Sequence, residues 1–447
     1  MMHAGKDARR VVSLAKPTGA GLSDGAAMPT DEKAGSGVLG TLAEKISLSR
    51  PSLSPRHAED DTSAQPAPSS KRADNFLTYA QSARDPFSRR PLNALDSLVF
   101  SWLSYFRLSS QLRCARMPEG IGLHELLRAE DFSSMFGTSW DPESSRELLF
   151  AVCASPRFRD TRLCHFAYKT ERATSEQFAA MTFMLPDGSA YLAFRGTDST
   201  LVGWREDFNM ASQLPVPSQC EAQRYLERVA PQLTGPIYLG GHSKGGNLAT
   251  YAAASAPEDI QRRIVRVFSH DGPGFDDSFL EGEGYARIRD RVEKNVPKSS
   301  IIGLIMDERH EFTVVESGGI SVLQHNPFLW EVESCEFKQA DGLSASSRYF
   351  GSTLAAWMRR FTPEERGEFI ATLFQVLSVT GATRFADIRE NWRTSLPAMK
   401  EAVASLAPEQ RAFVTDVFKA LARVATIDRM SDVASGLVDS LRASDEQ

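Results

Sequence analysis

The run Pro236-Ile237-Tyr238-Leu239-Gly240-Gly241-His242-Ser243-Lys244-Gly245-Gly246-Asn247-Leu248 constrains this chain more than any other stretch. It opens as a short apolar strand, passes through a turn with glycines on either side of one serine, and continues into an alanine-rich helical segment at 249–254. Gly241-His242-Ser243-Lys244-Gly245 fits G-x-S-x-G in the strand–turn–helix context that gives the pattern its meaning. A side chain at Gly241 or Gly245 would collide with the neighbouring strand or helix. The sharp turn lifts the Ser243 hydroxyl above the end of the sheet, and the Lys244 N–H, at a helix N-terminus, is free to stabilise an oxyanion. The plainer alternative is a serine that caps the helix between glycines that pack. The apolar strand before it and the helix after it favour the nucleophile turn.

Composition narrows the partners. The formal net charge of −6 over 447 residues argues against nucleic acid. The five cysteines (Cys114, Cys153, Cys164, Cys220, Cys335) are scattered and form no C-x-x-C pair, so they suggest neither a disulfide framework nor a zinc site. No apolar run approaches the ~20 residues that span a bilayer, and the polar start lacks a signal-peptide core. These features fit a cytosolic protein with reduced thiols. Residues 1–72 are rich in Gly, Ser, Ala and Pro with no sustained period and read as a disordered arm.

Order is expected from about Asn75. Leu95, Leu98, Val99, Trp102, Leu103 and Phe106 recur at helical spacing, and helices are also predicted over Leu123–Leu127 and Ser145–Ala154. Strands follow at Leu163–Lys169, Glu176–Leu185 and Ala190–Phe194, with Pro186-Asp187-Gly188 as a hairpin turn. A helix over Gln219–Val229 leads to the serine turn. Beyond it, strands are predicted at Ile264–Phe268, Ser300–Met306 and Phe312–Glu316, with a helical stretch between Phe275 and Glu293. The alternation implies an α/β fold, a mostly parallel sheet flanked by helices with the hairpin at its edge. From about Ser346 the pattern turns helical, with starts at Thr362-Pro363-Glu364-Glu365 and Ala407-Pro408-Glu409. The expected organisation is an arm (1–72), an α/β domain (73–345) and a helical region (346–447) that covers the core or binds a protein partner.

A serine nucleophile needs a base, and the base needs an acid to orient it. In this fold the order is Ser, acid, His. His325, in a loop after the last predicted strand, is the favoured base, with His310 as the alternative. Ligand sites in open α/β sheets lie outside the carboxyl ends of the strands. Asp307 ends the second predicted strand after the serine and is the favoured acid. Asp271, which ends the first, and Glu308 are alternatives, and Asp271 also suits a simple turn before Gly272. A second oxyanion donor should come from the loop after the third strand, where Thr197 sits. Arg195 reads as a brace for a buried carboxylate such as Asp207, and His242 as packing. No metal or organic cofactor is called for.

Ala193-Phe194-Arg195-Gly196-Thr197, then Trp204 and Asp207, together with the Gly-His-Ser-Lys-Gly turn, resemble the class 3 lipases. More closely, the chain resembles the Mbeg1-like family of predicted bacterial α/β-hydrolases. That resemblance is carried by Leu92-Asn93-Ala94-Leu95-Asp96, Phe194 to Asp198, Gly241 to Asn247, His270-Asp271-Gly272-Pro273-Gly274-Phe275 and Gln324-His325-Asn326-Pro327-Phe328. It covers roughly residues 73–340 and implies an α/β-hydrolase fold, with Ser243 at the nucleophile position and Thr197 at the lipase oxyanion position. One departure stands out. Class 3 lipases carry an aspartate just before a Val-Pro pair, where this chain has Asn295-Val296-Pro297. The expected activity is a lipase- or esterase-like cleavage of a small-molecule ester or lipid. The alternatives are thioesterase or peptidase chemistry at the same residues, or a non-catalytic scaffold that binds a protein through its tail.

Overall fold

The computed structural model describes residues 73–415 apart from 138, 172–175, 199–200, 308–310, 320 and 383–384. The expected N-terminal arm, the alternative base His310 and the alternative acid Glu308 lie outside the described residues.

One eight-stranded sheet runs through the molecule with its strands in chain order: β1 (Ile121–Gly122), β2 (Arg162–Glu171), β3 (Glu176–Met184), β4 (Ala190–Phe194), β5 (Ile237–His242), β6 (Ile264–His270), β7 (Val292–Pro297) and β8 (Thr313–Val315). Strands β1 to β4 pair antiparallel, and β4 to β8 pair parallel. The predicted hairpin is the β3–β4 connection. This is the α/β-hydrolase arrangement expected from the sequence.

The topology dictates where the helices go. Parallel neighbours in sequential order, joined by crossovers of one hand, place their connecting helices on one face of the sheet. The opposite face needs another cover, which α1 (Phe76–Ser82), α2 (Ala94–Leu103) and α3 (Pro142–Ala154) supply. Between β4 and β5 lie α4 (Leu201–Asn209) and α5 (Pro217–Val229), and α6 (Lys244–Ser255) follows β5. Strand β4 shows the result: Tyr191 and Ala193 join the core under α1–α3, while Ala190, Leu192 and Phe194 join the core under α5 and α6. A strand buried on both faces reads as a continuous apolar run, as this one does.

Two expectations are corrected. Ser300–Met306 is not a strand but a loop with a short 3-10 turn, Ile302–Leu304. Its isoleucines, Ile301, Ile302 and Ile305, are buried against Tyr349, Phe350 and Leu354 of α7 (Ala345–Arg360) rather than in the sheet. The strand instead starts earlier, at Val292, after two single-turn helices, Asp277–Leu280 and Glu283–Ala286. Likewise, Leu123–Leu126 is a 3-10 turn rather than an α-helix.

Beyond α7 come α8 (Pro363–Ser378) and α9 (Trp392–Ala404). The predicted start of α8 is a capping box, in which Thr362 and Glu365 satisfy each other's backbone N–H groups. Ile370, Leu373, Phe374 and Leu377 of α8 bury against Ala211 and Phe208, and Arg366 donates to the Ala211 carbonyl at 2.8 Å. The tail therefore packs on α4 and the segment after it.

The Leu92–Asp96 motif also acquires a physical reason. Asn93 and Asp96 cap α2 reciprocally, and the Asp96 carboxylate is buried against Arg157, which reaches it with Nε (2.7 Å) and Nη2 (2.5 Å). Tyr79 Oη donates to it as well, at 2.8 Å. Arg157 Nη1 donates to the Asp85 carbonyl, so both ions are fully engaged. Removing one partner strands a buried charge. Asp96→Ala is therefore expected to destabilise the fold by about 3–5 kcal/mol, measurable as a drop in urea midpoint.

Candidate active site

Ser243 sits between β5 and α6 with φ 58° and ψ −135°, a left-handed backbone that non-glycine residues rarely adopt. Neighbours hold it there. The Ser243 N–H donates to the His270 carbonyl at 2.8 Å, across the β5–β6 pairing. A Cβ on Gly245 would stand 2.1 Å from the Phe194 carbonyl oxygen, and one on Gly241 2.2 Å from Gly245 C, so the strand–helix approach requires both glycines. The side chain of Ser243 makes no helix-capping hydrogen bond, which removes the reading of a mere cap. The first N–H groups of α6 have no carbonyl a turn earlier to bond, and Lys244 carries the first of them.

His325 ends the short 3-10 turn Ser321–His325. The motif around it builds a rigid perch. Gln324 accepts from the Ser299 N–H at 2.7 Å and donates to the Gly319 carbonyl at 2.9 Å. Asn326 accepts from the Phe328 N–H, and Phe328 is buried against Phe76 and Trp102. The His325 ring lies on that of His242, with centroids 4.5 Å apart, which sets it beside the serine turn. Among the described residues no hydrogen bond joins Ser243 Oγ to His325 directly. Such contacts are commonly long in resting sites and tighten with substrate.

The carboxylate at His325 is Asp271, whose Oδ2 lies 2.6 Å from His325 Nδ1. Asp271 is fully buried, directly after β6, and has φ 51°. Its other oxygen accepts from Ser300 Oγ at 2.5 Å and from the Gly303 N–H at 3.0 Å. Its own N–H donates to the Asn295 carbonyl at 2.7 Å. A carboxylate oxygen accepts, so Nδ1 carries the hydrogen of this contact and Nε2 is the ring nitrogen that Asp271 leaves unengaged.

Asp307, the favoured acid in the sequence, is not brought to His325. Its carboxylate pairs with Lys294, which also donates to the Gly303 carbonyl. The alternative, Asp271, holds that place. The mistaken strand explains the difference: Ser300–Met306 is the loop that hydrogen-bonds Asp271, so its end does not face His325.

On the other side of the turn, Thr197 is buried and its hydroxyl donates to Asp207 Oδ1 at 2.6 Å. Lys244 points its side chain inward: Nζ meets Glu206 Oε2 at 2.8 Å and the Gln177 carbonyl at 2.9 Å. Glu206 also accepts from the N–H groups of Gln177 and Ser218, both at 3.1 Å, and so ties β3, α5 and α6 to α4. Sequence reasoning missed Glu206; its position beside Asp207, one residue further from the serine motif, gave no separate signal. Ser300 and Gly303 were hidden by the strand assignment. Arg195 does not brace Asp207. It is buried over the Tyr168 ring, and Asp198 is its leading electrostatic partner. Burial pushes the Asp207 carboxyl up to about 7, against the pull of Lys244 and the Thr197 hydrogen bond.

The Mbeg1-like family matches residues 152–375. None of the curated proteins matches the sequence. Similar solved structures include M37 lipase, at 15% identity over 46% of this chain and 68% of that one, TM-score 0.29. A Rhizomucor miehei lipase propeptide complex matches at 13% identity over 53% of this chain and 76% of that one, TM-score 0.28. Lipase II from Rhizopus niveus matches at 15% identity over 53% and 90%, TM-score 0.27.

Asp207 has a consequence for stability. The folded chain keeps its proton up to about pH 7, whereas an unfolded aspartate releases it near pH 4. Between these values the native state binds more protons, so this group makes stability fall as pH rises. Asp207→Asn is expected to flatten the decline in urea-unfolding free energy between pH 4.5 and 7 relative to the parent protein.

Proposed function

The chain belongs to the Mbeg1-like family, and on that premise we propose that it is a serine hydrolase that cleaves a carboxylic ester, lipase-like in its chemistry. The observation that carries this reading is the Asp271–His325 pair at 2.6 Å, set against the ring of His242 beside a left-handed Ser243. A buried carboxylate that fixes an imidazole tautomer next to a raised serine is the arrangement acyl transfer requires.

In this mechanism Ser243 Oγ attacks the ester carbonyl and gives its proton to His325 Nε2. The imidazolium that forms is held by Asp271. The tetrahedral oxyanion is met by the backbone N–H groups of Lys244 and Thr197. The Thr197 hydroxyl, anchored on Asp207, fixes that loop. Collapse expels the alcohol, which takes the proton from His325 and leaves an acyl-serine. Water then enters, loses a proton to His325 and attacks the acyl carbon. The acid departs, and the proton returns to Ser243. Each step uses groups of the protein itself, and the substrate is a small-molecule ester or lipid.

A fluorophosphonate probe should label the native protein and fail to label Ser243→Ala. Absence of labelling, or labelling that survives the substitution, would refute the hydrolase reading in favour of a non-catalytic scaffold. On a p-nitrophenyl ester, Asp271→Asn should cut kcat by roughly 10⁴-fold through the wrong tautomer, while Asp307→Asn should stay within about threefold of the parent. The reverse ranking would return the acid to Asp307.

A further inference from the structure

The residue before the serine, read from the sequence as packing, also makes polar contacts. His242 is fully buried, and both its ring nitrogens are engaged. Nε2 lies 2.9 Å from the carbonyl oxygen of His325, and Nδ1 lies 3.0 Å from Tyr105 Oη. Its ring faces that of His325 and is flanked by Trp102 and Trp330.

These contacts fix every proton. A carbonyl oxygen only accepts, so Nε2 must carry the hydrogen. Burial, with His325 adding to it, holds the imidazole neutral, so Nδ1 is an acceptor and the Tyr105 hydroxyl must donate to it. The Tyr105 oxygen lies 3.3 Å from the His242 carbonyl and packs against Gly196, where a Cβ would stand 2.0 Å from it. A single directed chain results: Tyr105 Oη–H to His242 Nδ1, and His242 Nε2–H to the His325 carbonyl. It begins at a hydroxyl packed on Gly196, the residue before Thr197, and ends on the backbone of the residue that carries the imidazole.

We propose that His242, locked in one tautomer by Tyr105, is the positioning residue for His325, holding that residue by its backbone and by its ring face in step with the loop that carries Thr197. The inference rests on the hydrolase reading above. Asp271 sets the tautomer and direction of the His325 ring, and His242 sets where the residue stands. The two constraints are separate because they grip different atoms of His325. Misplacing a catalytic group by about 1 Å costs on the order of 100-fold in rate.

The test compares His242→Phe, His242→Gln and Tyr105→Phe, each checked for native circular dichroism. Phenylalanine keeps a planar apolar ring but has no donor for the His325 carbonyl. Glutamine keeps an N–H near the Nε2 position and loses the ring. A packing role predicts that phenylalanine performs at least as well as glutamine. Positioning predicts the opposite order: kcat and the fluorophosphonate labelling rate should fall about 30- to 100-fold in His242→Phe with KM within about twofold, and His242→Gln should recover much of the loss. Tyr105→Phe removes one hydroxyl and should lower kcat by several-fold; it carries the test if His242→Phe does not fold. Labelling of His242→Phe within twofold of the parent, or glutamine performing worse than phenylalanine, overturns the proposal and leaves the hydrolase reading intact. A parent protein whose labelling does not depend on Ser243 removes both.

Discussion

Ser243 is held in a backbone conformation that costs a non-glycine residue of order 1–3 kcal/mol, and much of the surrounding structure serves to hold it there. The strain persists because the turn is gripped from three directions. Gly245 presses on the β4 carbonyl of Phe194, the Ser243 N–H is tied to β6 through His270, and Lys244 is anchored by Glu206 inside the molecule. A lysine with its charge wholly buried is tolerable because a carboxylate and a carbonyl meet it. The same helix, α4, then presents Asp207 to Thr197. The serine and the loop opposite it are thus supported by adjacent residues of one element.

The carboxylate side follows a different logic. β6 and β7 are parallel neighbours, and His270 stands opposite Asn295. The resemblance to class 3 lipases would place an acid at 295; the residue there is Asn295, whose backbone carbonyl receives the Asp271 N–H. The buried carboxylate that meets His325 lies one strand across, at the end of β6. That placement requires the 300–303 loop, because a buried carboxylate with one oxygen on an imidazole needs donors for the other. Ser300 and Gly303 supply them, and the space at Gly303 is so tight that a Cβ would lie 2.4 Å from Asp271 Oδ1.

Much of this was legible in the residues. Strands β2 to β5 declare themselves by apolar runs, the β3–β4 hairpin by Pro186-Asp187-Gly188, and the serine turn by glycines that have no room for a side chain. His325, expected as the base from its place late in the chain, meets Asp271 rather than the favoured Asp307, because the strand assignment slipped. Val292-Glu293-Lys294-Asn295 carries polar residues on a half-exposed strand and gives no alternating signal, whereas Ile301-Ile302-Gly303-Leu304-Ile305 imitates a buried strand while packing on α7. Periodicity reports burial, not the partner that provides it. The hydrogen-bond roles of Tyr105, Glu206 and Ser300 depend on contacts between distant segments, so no local pattern announces them.

Phe208 stands next to Asp207 on α4 and rests on Phe374 of α8, with ring centroids 5.8 Å apart. One helix therefore faces two ways: its polar edge steadies the loop opposite the serine, and its greasy edge is the seat of the C-terminal helices. The two parts of the chain share a seam, so how the C-terminal helices seat bears on the loop opposite the serine. A side chain more than a hundred positions downstream of Ser243 thereby leans on the helix that steadies its surroundings.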